Sequence, residues 1–147
     1  MREVKRSALV SQPPGVVFAL INDIESYPQF LPWCTHARVQ SRSAQEIVAT
    51  LGVRQSGFSG EFTTRNTLTP ESCVLMQLLD GPFRALEGQW LLEPIGAEGC
   101  RVDFSVRFEF KSRVTGLLFE PLFAQTIGSL MEAFAQRARS KPKAGPP

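Results

Sequence analysis

The sequence is poor in the residues that build metal centres and nucleophilic sites. Its 147 residues include one histidine, His36, and three cysteines, Cys34, Cys73 and Cys100. The cysteines are scattered, odd in number and never spaced as CxxC, so they indicate neither a zinc ribbon nor a disulfide scaffold. His36 lies two residues after Cys34, but two ligands do not make a zinc site. We therefore expect no metal, and reduced thiols of the kind usual in a cytoplasmic protein.

Paired catalytic groups are also missing from the pattern. The acidic residues are dispersed, so no two carboxylates are placed as acid and base, and no glycine-rich phosphate motif is present. A nucleophilic pair of Cys34 and His36 would need opposed side chains and a third, orienting group. We assign no catalytic residue and expect that the protein is not an enzyme.

Long apolar runs and an excess of one charge are lacking as well. No run approaches the ~20 apolar residues of a membrane span, and the first residues do not resemble a signal peptide. Sixteen lysines and arginines stand against fourteen acidic residues, a formal net charge of +2, which is too small to indicate DNA binding. We expect a soluble, cytoplasmic protein, for which transient contact with a membrane surface stays open.

Apolar residues are abundant, at 43% with eleven phenylalanines, and their spacing predicts an α+β fold. Residues 3–10 can form a first strand, and apolar residues at helical spacing over 17–24 predict a short helix. From about residue 35 to 111 the apolar residues alternate, which predicts about six antiparallel strands. Helical spacing then returns up to about Ser140, which predicts a long helix packed on the concave face of a curved sheet.

The ends of this long helix and of the domain can be placed from prolines and glycines. Pro121 is expected near the start of the helix, with residues 117–119 in a separate turn ahead of it. Residues 1–140 are expected to form one domain, followed by a flexible basic tail rich in proline and glycine at 141–147.

Four stretches of the sequence together identify a family resemblance: "YPQFLPWC", "FTTRNTL", "LLDGPF" followed by "GQW", and "FEFKSRVTGLLF". They resemble the coenzyme Q-binding START-domain family, which belongs to the polyketide cyclase-like, helix-grip superfamily. Within that family they resemble the bacterial ribosome association toxins. The resemblance covers about residues 2–139. One departure is that the first helix opens with Pro13-Pro14-Gly15, where relatives often carry a serine-type cap.

The resemblance implies a fold and two alternative functions. The fold is a curved antiparallel sheet of about seven strands around a long C-terminal helix, with two short helices after the first strand and a cavity between sheet and helix. One function is a non-enzymatic carrier of an apolar isoprenoid or quinone-like lipid such as ubiquinone, supporting respiratory quinone function. The other is a toxin that binds the large ribosomal subunit and blocks subunit joining. A cyclase or dehydratase activity would be inherited from the superfamily alone. No cofactor is implied, and ubiquinone would be a bound ligand.

The stretch "YPQFLPWC" concentrates large apolar side chains on a backbone that two prolines, Pro28 and Pro32, keep irregular. In a helix-grip fold this stretch covers one end of the cavity. Phe30, Leu31 and Trp33 are then either a lid that opens for the ligand or a plug that belongs to the core.

Aromatic residues on the predicted inner face of the sheet are candidates for the cavity wall. For each of them, ordinary core packing is the alternative. Gly60 and Gly88 share this inner face, where a glycine leaves space or marks a bend of the sheet. Trp90 stands out because a buried indole N–H requires a partner. The candidates for ligand binding on the sheet and long helix are Phe62, Trp90, Phe104, Phe108, Leu130 and Phe134.

Basic residues crowd the end of the chain and bear on ribosome binding. Arg137, Arg139, Lys141 and Lys143 could contact phosphates of ribosomal RNA. They could equally form the solvated end of a helix, where the helix dipole favours positive charge.

Overall fold

The computed structural model describes residues 1–140, and the expected tail at 141–147 lies outside the described residues. These 140 residues form seven β-strands, two α-helices and one 3₁₀ helix. The strands are β1 (Arg2–Val10), β2 (Cys34–Arg42), β3 (Glu46–Gln55), β4 (Phe58–Thr69), β5 (Cys73–Asp80), β6 (Phe83–Ile95) and β7 (Gly99–Phe110). The helices are α1 (Pro14–Asn22), the 3₁₀ helix (Ile24–Gln29) and α2 (Arg113–Arg139).

All seven strands lie in one antiparallel sheet with the order β1-β7-β6-β5-β4-β3-β2. Register shifts interrupt the pairing within β2, between β4 and β5, and at the start of β6. Such bulges increase the local twist and let a sheet curve. Helix α2 packs against β1 and β7. This architecture confirms the predicted α+β helix-grip fold, with six strands between the short helices and the long one.

Strand β7 shows how the alternating pattern builds the core. Its even-numbered residues from Cys100 to Phe110 are all buried, whereas Arg101 and Arg107 are exposed. Burying large aliphatic and aromatic side chains contributes about 1.5–3 kcal/mol each, so one face of the strand is committed to the interior. The sheet therefore presents a continuous apolar surface to α2.

Helix α1 forms although its opening lacks a side-chain cap. Pro13 occupies the cap position and Pro14 follows it, where the missing N–H of proline carries no cost. The helix ends at Asn22, whose carbonyl accepts a hydrogen bond from Arg42 at 3.1 Å. The proline-rich opening therefore leaves the fold intact.

Helix α2 begins earlier than predicted. Ser112 caps it, and the helix continues through Pro121 to Arg139. The expectation of a separate turn ahead of Pro121 was wrong, because contacts with the sheet hold the first turns in place. Phe119 contacts Phe58, with ring centroids 5.2 Å apart, and Phe123 packs into the aromatic core. Pro121 removes one helical donor, but the packing on either side offsets that loss.

By length and composition α2 is the one described helix that could cross a membrane. Its buried residues, among them Phe123, Ile127, Met131 and Phe134, face the concave side of the sheet. One face of α2 therefore packs on the core.

The hairpin between β5 and β6 turns through Gly81 and Pro82. Gly81 has a φ of +148°, and a Cβ there would lie 2.7 Å from the Cβ of Phe62. A side chain at this position would be strained by the backbone and would also collide with β4.

Candidate functional site

A cavity lies between the concave face of the sheet, α2 and the segment that contains the 3₁₀ helix. Its volume is about 90 Å³, several times the ~10–15 Å³ that a single water requires. It is smaller than the ~300–1,000 Å³ of pockets that hold whole drug-sized ligands. The cavity therefore suits a small apolar group, and a longer ligand requires the surrounding elements to move.

Six of the nine residues predicted for ligand binding line this cavity. Trp90 stacks on Phe104 with ring centroids 4.2 Å apart and contacts Phe134 at 5.0 Å. Neither the Trp90 nor the Trp33 indole N–H has an acceptor among residues 1–140. The six lining residues are Trp33, Phe62, Trp90, Phe104, Leu130 and Phe134.

The other three predicted residues do not line the cavity. Phe108 has no exposed surface and is packed by Phe83 and Phe123, because this part of β7 lies under the first half of α2. Leu31 is 1% exposed and belongs to the core. Phe30 is half-buried and packs on the outer side of Phe134. Neither the alternation along β7 nor the clustering of apolar residues in "YPQFLPWC" distinguishes these positions from the cavity wall.

Sequence reasoning missed a polar pair in the wall. Thr64 and Asn66 lie on the inner face of β4 and line the cavity. The Thr64 hydroxyl donates to Asn66 Oδ1 at 2.8 Å. The Asn66 amide nitrogen then has no acceptor among the described residues, although Asn66 is only 6% exposed. The signal was available, since both residues share the parity of Phe62.

The Asn66 amide borders the cavity, where a ligand can supply an acceptor. Such a hydrogen bond contributes about 0.5–1.5 kcal/mol net. The Asn66 amide is therefore suited to a carbonyl or ether oxygen of a molecule that is otherwise apolar.

The described lining contains one titratable side chain, Tyr27. Its hydroxyl donates to the carbonyl of Ile21, and burial raises its pKa far above the ordinary value, with the nearby Cys34 and Asp23 adding to the effect. Tyr27 therefore stays neutral and its proton is engaged. No carboxylate, imidazole, amine or thiol is among the described residues that line the cavity.

The two glycines predicted on the inner face give room to neighbouring side chains. A Cβ on Gly88 would lie 2.2 Å from the terminal methyl of Met76, which lines the cavity. A Cβ on Gly60 would lie 3.3 Å from the ring of Phe58. The space above Gly88 is thus filled by Met76, a flexible residue that can adapt to a ligand.

The segment 24–33, here called the cover segment, closes one side of the cavity. Tyr27 and Phe30 both contact Phe134 edge-on, at 5.3 and 5.1 Å. Arg137 donates to Gln29 at 2.7 Å and lies 5.1 Å from the ring of Phe30. The cover segment is therefore attached to α2 near its end, while Trp33 forms part of the wall.

The single histidine lies outside the cavity. His36 contacts Glu61 at 2.5 Å on the outer face of the sheet, and Arg38 approaches the same carboxylate at 3.4 Å. The hydrogen bond from His36 is the main reason why the pKa of Glu61 is lowered. No group of three potential metal ligands occurs within residues 1–140.

The basic residues predicted for ribosome contact are only partly described. Arg137 is engaged with the cover segment, whereas Arg139 is exposed. Lys141 and Lys143 lie outside the described residues.

The comparisons with known sequences agree with these observations. The family described as "Polyketide cyclase / dehydrase and lipid transport" matches residues 10–135. The chain is 39% identical to "Ribosome association toxin RatA" of Escherichia coli strain K12 over 95% of this chain and 88% of that protein. It is 26% identical to "Coenzyme Q-binding protein coq10, mitochondrial" of Schizosaccharomyces pombe, over 95% of this chain and 88% of that protein.

The fold also recurs in a solved structure described as a START superfamily protein from Mycobacterium smegmatis. The TM-score is 0.79 at 22% identity, covering 93% of this chain and 97% of that one. This likeness concerns the fold alone.

Proposed function

Because the chain belongs to the polyketide cyclase / dehydrase and lipid transport family, we propose that it is a non-enzymatic binding protein for an apolar lipid. The ligand class is an isoprenoid with a small polar head, such as ubiquinone, and the role is support of respiratory quinone function in the cytoplasm. The observation that carries the proposal is the apolar cavity with the unpaired Asn66 amide in its wall. The likeness to a relative named for coenzyme Q binding supports the same ligand class.

The chemistry of the lining supports binding rather than catalysis. Acid–base or nucleophilic steps require a titratable group within hydrogen-bond reach of the substrate. Tyr27 is held neutral and hydrogen-bonded, and the other described lining residues do not titrate. Lipid binding requires only shape, apolar surface and one or two hydrogen bonds.

We expect the ligand to be arranged as follows. The head lies at Thr64 and Asn66 on β4, and the first isoprenoid unit lies against Trp90, Phe104 and Leu130. A longer tail exceeds the closed volume, so it leaves the cavity between the sheet and α2.

A short-chain ubiquinone analogue with one isoprenoid unit tests this proposal directly. The only two tryptophans, Trp33 and Trp90, both line the cavity, so a bound quinone should quench the intrinsic fluorescence in a saturable way. Asn66→Leu removes the donor and should weaken binding roughly two- to tenfold, the value of one net hydrogen bond. Thr50→Val is the matched control, because Thr50 is buried but bonds to Thr63 and Gln40 outside the cavity.

The outcomes separate the two parts of the proposal. Absence of saturable quenching contradicts lipid binding in the cavity. Equal affinity of Asn66→Leu and the unchanged protein contradicts the placement of the head at Asn66.

A second function is favoured by one specific observation, the 39% identity with a protein named as a ribosome association toxin. In this function the chain binds the large ribosomal subunit and blocks subunit joining. The basic residues near the end of α2, with Arg139 exposed, and the two lysines at 141 and 143 are the candidate contacts.

A further inference from the structure

The first turns of α2 expose an apolar surface to solvent. Val114, Leu117 and Leu118 are 67%, 82% and 62% exposed. They lie three and four positions apart, so they share one face of the helix. We call these three residues the α2 ridge. Single exposed leucines are common, but a contiguous group marks an interaction surface.

Two basic residues without acidic partners directly precede the α2 ridge. Lys111 and Arg113 make no ion pair within residues 1–140. The neighbouring acidic residues Glu109 and Glu120 are bound by arginines. Asp80, two residues before Pro82, is the acidic residue in this region without such a partner. Positive charge is thus the unbalanced charge around the α2 ridge.

The turns between strands bring these residues to one end of the molecule. The amide of Lys111 donates to the carbonyl of Pro82 at 3.0 Å, which joins the start of α2 to the β5–β6 hairpin. Phe58, just after the β3–β4 hairpin, contacts Phe119 of α2.

The same end leads towards the cavity. A narrow cleft of about 10 Å³ lies between β3, β4 and α2, with Phe58 and Phe119 at its outer side. Phe123 and Thr126 line both this cleft and the main cavity. Phe119 directly follows Leu118, so the outer end of the cleft lies beside the α2 ridge.

We propose that the α2 ridge, with Lys111 and Arg113, docks on the surface of an anionic lipid bilayer and places the Phe58–Phe119 cleft against it. Apolar side chains enter the boundary of the acyl chains, while lysine and arginine interact with anionic headgroups. Ribosomal RNA would use the basic residues but has no complement for three exposed aliphatic side chains. The use of the cleft by a lipid rests on the proposed function, whereas docking itself does not.

Vesicle sedimentation tests the docking. The intact protein should bind vesicles of equal parts phosphatidylcholine and phosphatidylglycerol, and bind pure phosphatidylcholine more weakly. Leu117→Ser with Leu118→Ser should reduce binding to the anionic vesicles roughly tenfold or more, since the apolar surface of two exposed leucines no longer enters the bilayer. Leu9→Ser with Ile95→Ser is the matched control, because both are exposed apolar residues at the opposite end of the sheet.

The charge contribution is tested in the same assay. Lys111→Gln with Arg113→Gln should weaken binding to anionic vesicles several-fold for each charge removed, and should leave binding to phosphatidylcholine unchanged. Lys5→Gln is the control, because Lys5 is exposed and lies elsewhere in an ion pair with Glu3.

A quinone assay distinguishes failure of docking from failure of lipid binding. Long-chain ubiquinone embedded in anionic vesicles should quench the tryptophans of the intact protein but not of the double leucine variant. The soluble short-chain analogue should quench both equally, because neither leucine lines the cavity.

Three results would overturn the docking proposal. One is vesicle binding that is unchanged in the double leucine variant, and another is no binding of the intact protein to either vesicle. The third is a concentration-dependent dimer, seen by light scattering, that the leucine substitutions abolish, since the α2 ridge would then be an interface between two copies.

Discussion

At the residue scale, the cavity depends on a few polar atoms in an apolar wall. The Asn66 amide and the two indole N–H groups have no acceptor among the described residues, and all three residues line the cavity. Tyr27 differs from these residues, because its hydroxyl donates a hydrogen bond to the carbonyl of Ile21. Unpaired donors in a wall without titratable groups are suited to recognising oxygen atoms and not to transferring protons.

The buried thiol of Cys34 predicts a loss of stability at alkaline pH. Burial raises the pKa of its thiol to about 11 from the ordinary value of 9.0. The folded protein therefore holds this proton more tightly than the unfolded chain. The resulting stability is complete below about pH 9 and is lost as the pH rises through about 11. Urea unfolding at a series of pH values should show the stability difference between the intact protein and Cys34→Ala shrinking over this range.

The other two cysteines provide the comparison for Cys34. Cys73 is partly exposed, while Cys34 and Cys100 are buried. Alkylation by iodoacetamide at neutral pH should modify Cys73 first. Equal labelling of all three, or a stability difference that does not change with pH, would contradict the burial of Cys34.

At the element scale, the cover segment and α2 act together. The 3₁₀ helix is attached to the end of α2 through Gln29 and Arg137, and its aromatic residues pack on Phe134. The first turns of α2 instead contact the β3–β4 hairpin through Phe119. Each end of α2 therefore closes a different side of the cavity.

Trp33 and Leu31 form a matched pair for testing whether the cover segment opens. Trp33 is 9% exposed and lines the cavity, whereas Leu31 is 1% exposed and does not. We predict that Trp33→Ala raises the dissociation rate of the short-chain ubiquinone analogue more than it lowers stability. Leu31→Ala should cost about 2–5 kcal/mol of unfolding free energy, as for a buried leucine, with little effect on that rate.

Stopped-flow fluorescence and urea unfolding give the two quantities. In the Trp33→Ala protein, Trp90 still reports the ligand. A drop of ~3–5 kcal/mol in the unfolding free energy of Trp33→Ala, the cost of a core tryptophan, with an unchanged dissociation rate would show that Trp33 is a plug and not a lid.

At the scale of the whole molecule, ion pairs neutralise much of the charge on the outer face of the sheet. The outward arginines of the sheet are mostly paired on the surface, as in Arg65–Glu46, Arg101–Asp103 and Arg107–Glu87. Such pairs neutralise charge that could otherwise attract phosphates. A nucleic-acid contact therefore depends on basic residues that lack such partners, and Arg139 is one of them.

Salt dependence separates the two candidate functions. Binding of the short-chain ubiquinone analogue should hardly change with ionic strength, because the cavity is apolar. Binding to isolated large ribosomal subunits, measured by sedimentation, should weaken steeply as salt rises, since each phosphate contact releases counterions. Removing residues 141–147 together with Arg139→Gln should reduce the slope by about one for each basic residue that had neutralised a phosphate.

Arg101→Gln is the control for this experiment, because Arg101 is bound by Asp103 at 3.1 Å. An unchanged slope after truncation would contradict contact through the end of the chain. Absence of salt-dependent binding to the ribosomal subunits at any ionic strength would contradict the ribosome function.

The sequence by itself determined the fold class and its elements. Alternation in "CRVDFSVRFEF" and helical spacing after residue 111 reflect burial on one face, which is a local property of each element. For the same reason, strand parity placed Phe62, Trp90 and Phe104 in the cavity wall, and helical spacing placed Leu130 and Phe134 there. The inner-face positions of Thr64 and Asn66 also follow from that parity, although polar residues are not usually expected on an inner face.

Only the tertiary structure decided which inward residues border empty space. Phe104 and Phe108 have the same parity on β7, yet one lines the cavity and the other is fully packed. The difference arises because Phe108 is packed by Phe83 and Phe123, whereas Phe104 contacts Trp90 in the cavity wall. The length of α2 was decided in the same way, because Phe119 and Phe123 contact residues of distant strands and hold the helix together across Pro121. Contacts between residues far apart in sequence leave no periodic signal, so they became visible only in the folded chain.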